Sequence, residues 1–147
     1  MNHLEKYIEA FLNKHPQYKH IPIDAFAFGA VPDELADLVV RKIKTGTSSL
    51  HQLYELEDEP IPTVGKVSVV LDGQGLPVTV IELTNVEILP FSQVTEHHAF
   101  LEGEGDRSLA YWRQVHLDFF TAEANEYPDV SFSEESLIVY ETFQVID

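Results

Sequence analysis

The chain has 147 residues, 44% of them hydrophobic, with a formal net charge of −16 and no cysteine. That length and apolar content suit one domain with a core of its own, and the missing thiols exclude both a disulfide-stapled fold and a zinc site built on thiolates. The charge is uneven: residues 1–44 carry six acids and six bases, residues 45–147 nineteen acids and three bases. Replacing the counterions of a long nucleic acid takes many cations, so this balance disfavours a long polymer and favours a small ligand. The start, Met1-Asn2-His3-Leu4-Glu5-Lys6, lacks the basic end and apolar run of a signal peptide, and no stretch approaches the ~20 apolar residues of a membrane span. A cytoplasmic protein with no membrane partner is expected.

In chain order, Leu4, Tyr7, Ile8, Phe11 and Leu12 recur at helical spacing and predict a packing helix over residues 4–14, ended by His15-Pro16. Residues 19–24 read as an irregular connection, and Ala25-Phe26-Ala27-Phe28-Gly29 as a brief strand or a buried loop. Pro32, Asp33 and Glu34 suit a helix N-terminus, and the helix they start is predicted to end near Lys44. Residues 51–56 fit a helical turn or an extended segment equally. Val67–Leu71 and a long partner from Pro77 to Leu89, able to bend or bulge, flank the hairpin turn Asp72-Gly73-Gln74-Gly75. Helices are predicted from about Val94 to Leu101 and from about Ser108 to Ala124, the second with Leu109, Trp112, Val115, Phe119 and Phe120 inward. A last strand over residues 137–146 would close a small sheet or barrel.

The candidate site is Arg41-Lys42-Ile43-Lys44-Thr45-Gly46-Thr47-Ser48-Ser49, where three of the nine basic residues meet a Gly and hydroxyl loop at a helix end. Two readings stand: a seat for an anionic or strongly polar ligand, or cations offsetting a helix dipole with Gly46 as a left-handed helix stop. Lys44 and Thr47, three residues apart, allow an amine and a hydroxyl to converge, and a threonine hydroxyl needs such a neighbouring base to act as nucleophile. Of the 25 acids, Glu82 is singled out because it interrupts the apolar run Val78-Thr79-Val80-Ile81-Glu82-Leu83; it is either a functional carboxylate or the solvent face of an alternating strand. Glu102-Gly103-Glu104-Gly105-Asp106 lacks the spacing of an EF-hand and reads as a loop bracing the next helix. His97 and His98, being adjacent, diverge on a helix. No metal and no cofactor is expected.

With Phe26-Ala27-Phe28-Gly29, Pro32–Val39, Lys44-x-x-Thr47, Pro62-Thr63-Val64-Gly65 and Glu102–Trp112, the chain resembles the ASCH-domain family of the PUA-like superfamily over residues 25–146. The family signature Gly-x-Lys-x-x-Thr-x-Arg is kept at Lys44 and Thr47, with Lys42 and Ser49 at its Gly and Arg positions. The resemblance implies an α+β fold: a single domain with a small bent or closed β-barrel, flanking helices, and a cleft lined by the Lys-x-x-Thr loop, with residues 1–24 as an N-terminal packing helix and connection. It implies recognition of a nucleoside or a short RNA, and two activities: removal of the acyl group from N4-acetylcytidine by a lysine, a threonine and a glutamate, placed here on Lys44, Thr47 and Glu82, or metal-assisted cutting of single-stranded RNA. A binding module without catalysis is the third expectation. Thr47 would attack the acyl carbon, Lys44 take its proton and Glu82 assist the leaving amine, with Arg41, Lys42, Ser48, Ser49, Phe28, Trp112 and Arg113 as candidate ligand contacts.

Overall fold

A computed structural model describes residues 1–147. Helix α1 (His3–Lys14) opens the chain, with the Asn2 side chain accepting from the Glu5 amide at 2.8 Å, and a single 3₁₀ turn (Pro16–Tyr18) follows. Strand β1 (Ile23–Ala27), helix α2 (Pro32–Val40), strand β2 (Gly46–Leu50) and the short helix α3 (His51–Leu56) come next. Strands β3 (Val67–Leu71) and β4 (Pro77–Pro90) form the hairpin, α4 (Glu96–Glu102) and α5 (Leu109–Ala124) lie behind it, and β5 (Leu137–Val145) ends the fold. No helix is long and apolar enough to cross a membrane.

The five strands form one mixed sheet in the order β1-β3-β4-β5-β2, with β1 parallel to β3 and every other pair antiparallel. Strand β4 pairs with β5 through a register shift between Leu83 and Asn85, so the bulge its length suggests is present. The two edge strands, β1 and β2, do not pair, yet both line one hollow. The sheet therefore curls around that hollow without being closed by hydrogen bonds, which is the bent form of the expected barrel. Three apolar layers hold it: α1 lays Phe11 on Val67, Val69 and Val80, α2 packs Leu35, Ala36 and Val39 with Ile81, Leu83 and Phe143, and α5 packs Trp112 and Phe120 with Leu50, Ile138 and Tyr140.

The region between α2 and β2 departs from the sequence reading. Helix α2 stops at Val40, four residues short of Lys44, because Lys42 turns left-handed at φ 63° and the Ile43 and Lys44 amides both fold back to the Leu38 carbonyl at 2.9 and 3.1 Å. Gly46 is no helix stop; it opens β2. A Cβ there would collide with the Tyr140 hydroxyl and lie 2.9 Å from its Cζ, while that hydroxyl donates to the His98 carbonyl at 2.7 Å. In α5 the buried stripe is Trp112, His116, Phe120 and Ala124, and Phe119 is exposed. We predict that Gly46→Ala lowers the free energy of unfolding in urea by about 2–3 kcal/mol, since buried Tyr140 has to move.

Candidate functional site

Lys44 is carried by the loop after α2, and its side chain runs inward until only 1% of the residue is exposed. Its ammonium donates to the Gly46 carbonyl at 2.8 Å, to Glu102 Oε1 at 3.3 Å and to Glu104 Oε2 at 3.3 Å, and lies 5.3 Å from the centre of the Phe28 ring. Glu102, the last residue of α4, is as deeply buried. It also accepts from the Ser48 hydroxyl at 2.8 Å and from the Trp112 indole, while His116 Nε2 lies 3.5 Å from Oε1. Both of its oxygens are thus satisfied, as a buried charge requires.

Local sequence explains why these groups meet. The Thr95 hydroxyl and the His98 ring cap α4 reciprocally: the Thr95 amide donates to His98 Nδ1, which leaves the Nε2 proton to donate to Glu87. At the other end Gly103 is left-handed, and a Cβ on it would fall 2.6 Å from the Ile43 carbonyl, so only glycine lets the end of α4 lie against the Lys44 loop. The Thr45 amide donates to the Leu101 carbonyl at 2.7 Å across that contact, and Arg107 donates to the carbonyls of both Phe100 and Ile43. Two of the three loop acids, Glu102 and Glu104, therefore face Lys44; Asp106 alone braces α5, accepting from the Ser108 amide.

Burial works against the charge on Glu102, but the Lys44 ammonium, His116 and the Trp112 indole outweigh it and hold the carboxyl at about 2. Burial likewise works against a charged His116, yet the hydrogen bond to Glu102 wins and raises its pKa. His116 Nδ1 donates to the Trp112 carbonyl at 2.9 Å, so an imidazolium uses both ring protons. Glu102, Glu104 and His116 bring three ligand atoms within 4.8 Å of one another, but the Lys44 ammonium already stands 3.3 Å from both carboxylates.

Two hollows open here. The larger, about 350 Å³, lies between β1 and β2 over the inner face of the sheet and is lined by Phe26, Thr47, Ser49, Ser68, Phe143 and Glu141 among others. That volume is at the low end of the about 300–1,000 Å³ typical of small-molecule sites. The smaller, about 100 Å³, reaches Lys44, Glu104 and His116. Phe28, Gly29, Thr47 and Ser48 line both, so Thr47 stands where the larger cleft meets the charged recess.

Of the residues expected at the site, Lys44, Thr47, Ser48, Ser49 and Phe28 come together, though not at a helix end: Lys44 lies on a loop and Thr47 on a strand. Ser49 is engaged with the Tyr54 hydroxyl at 2.8 Å. Glu82 is elsewhere: Ile81 and Leu83 line the hollow, strand alternation turns Glu82 to the opposite face, and it accepts from the Tyr18 hydroxyl at 3.1 Å. The carboxylate beside Lys44 is Glu102. Arg41 is exposed and pairs with Asp37, Lys42 is exposed, and Arg113 donates to the carbonyls of Ser92 and Val94. Trp112 is core and reaches the site only through its bond to Glu102. Nor is Lys44 a seat for a free anion, since carboxylates occupy it.

Residues 24–147 match the family model of the ASCH domain, and the chain belongs to that family. An ASCH-domain crystal structure from Lactobacillus crispatus JV V101 is 36% identical with a TM-score of 0.85, over 97% of this chain and 91% of that one. Protein EF3133 of Enterococcus faecalis V583 is 34% identical with a TM-score of 0.86, over 99% and 88%. The hypothetical protein PH0355, 12% identical with a TM-score of 0.57 over 85% and 100%, shares the fold. No curated protein matches the chain.

These charges have measurable consequences for stability. Lys44→Met strands a buried carboxylate and should cost about 3–5 kcal/mol in urea unfolding, with part of the loss recovered in Lys44→Met/Glu102→Gln. Glu102 titrates near 4.5 when unfolded and at about 2 when folded, so its contribution is complete above pH 4.5 and disappears as pH falls towards 2. Glu141 runs the other way. Burial pushes it up to about 7, with Lys66 pulling down and Asp24 pushing up, so its ionisation destabilises the fold as pH rises from 4.5 through 7. Glu141→Gln should therefore be more stable than wild type at pH 8, by about 1–2 kcal/mol after discounting for solvent, and not at pH 5.

Proposed function

We propose that the cleft between β1 and β2 binds a nucleoside or the end of a short RNA, and that the protein hydrolyses N-acyl groups of the N4-acetylcytidine type. The observation that carries the proposal is the position of Thr47, on the wall between a cleft of nucleoside size and a recess holding the buried Lys44–Glu102 pair. Phe28 and Phe143 offer apolar surface to a heterocycle, and the serine hydroxyls supply polar contacts. Acidic walls, with Asp24, Glu59 and Glu141 against Lys66 alone, suit a neutral ligand better than a phosphate chain.

In this scheme the Thr47 hydroxyl attacks the acyl carbon, its proton passes to the exocyclic nitrogen as the bond to that nitrogen breaks, and water then releases the acyl group as the acid and returns a proton to Thr47. The three protons of the Lys44 ammonium are engaged with Gly46, Glu102 and Glu104, so its role is that of a fixed positive charge and donor. Glu104 is the partner a ligand displaces: its side chain is 20% exposed and sits between two left-handed glycines, whereas Glu102 is fastened on every side. The oxygen of the attacked carbonyl then takes the place of the Glu104 carboxylate on Lys44.

The test is release of cytidine from N4-acetylcytidine. We expect turnover by wild type that is indifferent to chelator, a loss of at least about a thousandfold in kcat/KM for Thr47→Ala, and little change for Glu82→Gln. Cleavage of single-stranded RNA that is lost on chelation and restored by a divalent ion would favour the metal-assisted ribonuclease, acting through Glu102, Glu104 and His116. No release by wild type would overturn the amidohydrolase reading.

A further inference from the structure

Glu141 is the group in the cleft that neither the fold nor the chemistry above uses. It lies on β5 directly opposite Thr47 on β2 and opposite Val86 on β4, and it lines the larger hollow. Side chains at directly paired positions share a face of the sheet with Cβ atoms about 4.5–5.5 Å apart, so Glu141 stands beside the proposed nucleophile. Asp24 is fastened by the Ser68 hydroxyl and by Lys66 at 3.2 Å. Glu141 has charged neighbours but no hydrogen-bond partner, and its oxygens are open to the hollow rather than sealed in the core. A half-buried carboxyl whose oxygens bond to nothing in the chain and face an open hollow is placed to bond to what enters it.

We propose that Glu141 is the residue that reads the ligand, pairing both oxygens with an edge of a neutral pyrimidine-type heterocycle that presents a hydrogen-bond acceptor beside an N–H donor. The proposal rests on the nucleoside reading of the cleft and names the part of the ligand it recognises. As the un-ionised acid, Glu141 donates its O–H to the ring acceptor and accepts the neighbouring N–H through its carbonyl oxygen. Cytosine offers that pair as N3 and the exocyclic amine, and uracil offers it in the reverse order as O4 and N3–H. On an N4-acylated cytosine the N–H so held adjoins the acyl carbon, which brings that carbon towards Thr47 across the strand pair. The ionised carboxylate can only accept, and it repels the ring acceptor.

Binding thus requires the proton that burial keeps on Glu141 up to about pH 7. The other titratable groups around it are Asp24 on β1, Lys66 ahead of β3, Tyr54 on α3 and Glu59 beyond it, whereas β4 contributes only Ile81 and Leu83 to the hollow. Burial also raises the Tyr54 hydroxyl, away from the neutral range. Across the shared wall, His116 and Glu104 line the smaller hollow, so a variant at Glu141 is needed to assign any pH dependence.

The experiment is calorimetric titration of the full chain with cytidine, uridine and 3-methyluridine between pH 6 and 8.5, for wild type, Glu141→Gln and Glu141→Ala. Wild type should bind cytidine and uridine with an affinity that is level below pH 7 and falls about tenfold per unit above it. It should bind 3-methyluridine, which has no N–H on that edge, at least about tenfold more weakly. Glu141→Gln keeps one donor and one acceptor, so it should bind with no pH dependence across the range. Glu141→Ala should be at least about tenfold weaker at pH 6. Undiminished binding by Glu141→Ala, or the same pH profile in Glu141→Gln as in wild type, overturns the assignment and leaves the nucleoside reading standing. Absence of binding by wild type to every nucleoside overturns both.

Discussion

The structure depends on one buried ion pair. Lys44 and Glu102 come from segments 58 residues apart, each is 1% exposed, and the 3.3 Å contact between them joins the loop after α2 to the end of α4. Removing two such charges from water costs several kcal/mol per ion, which Coulomb attraction repays only when every remaining proton and lone pair is bonded. Here that condition is met by the Gly46 carbonyl, the Ser48 hydroxyl, the Trp112 indole and His116. The pair's neighbours are fixed for the same reason: Gly103 permits the backbone approach, Gly46 admits Tyr140, and Ser48, though it lines the cleft beside Thr47, commits its hydroxyl to Glu102.

A fold that needed only stability could fill the same space with apolar side chains at no loss. Keeping a charged pair there makes sense when the charge is used, and Thr47 on the adjoining wall is where it can be. The proposed function gives the two hollows separate parts. One is broader and of mixed lining, with the Phe26, Phe28 and Phe143 rings beside hydroxyls and carboxylates; the other is narrow and holds a cation whose loosest partner, Glu104, lies on a glycine-flanked loop. The net charge of −16 fits this arrangement, because the buried Lys44 ammonium is neutralised by its own carboxylates.

Much of the fold was legible in the sequence. The periodicity of Leu4–Leu12, the Asp72–Gly75 turn and the β-branched runs around it lie on elements whose form is set locally, and they appear where the pattern puts them. The family resemblance holds, and with it the meeting of Lys44, Thr47, Ser48 and Phe28. What failed was non-local. Helix α2 ends early because Lys42 adopts a left-handed turn that no residue type announces, which removes Arg41 and Lys42 from the site. Glu82 looked exceptional in an apolar strand, yet strand alternation carries it to Tyr18 on the far face. Glu102 looked ordinary in an acidic loop, yet it is the buried partner of Lys44. The Glu-Gly-Glu-Gly spacing held a usable signal, since glycines on both sides of an acid permit the close approach that buries its neighbour. Glu141 and His116 gave none: their roles come from which strand and which helix turn face the cleft.

The proposed binding mode puts a nucleoside in the cleft with its acylated nitrogen against Thr47. The most direct measurement is a crystal structure of Thr47→Ala soaked with N4-acetylcytidine. The ring is expected between β1 and β2 near Phe28, the N3–N4 edge on Glu141, and the acyl oxygen within hydrogen-bond distance of Lys44 with Glu104 displaced. A ligand found on another surface, or a ring in the cleft with its acyl group pointing away from position 47, would contradict it.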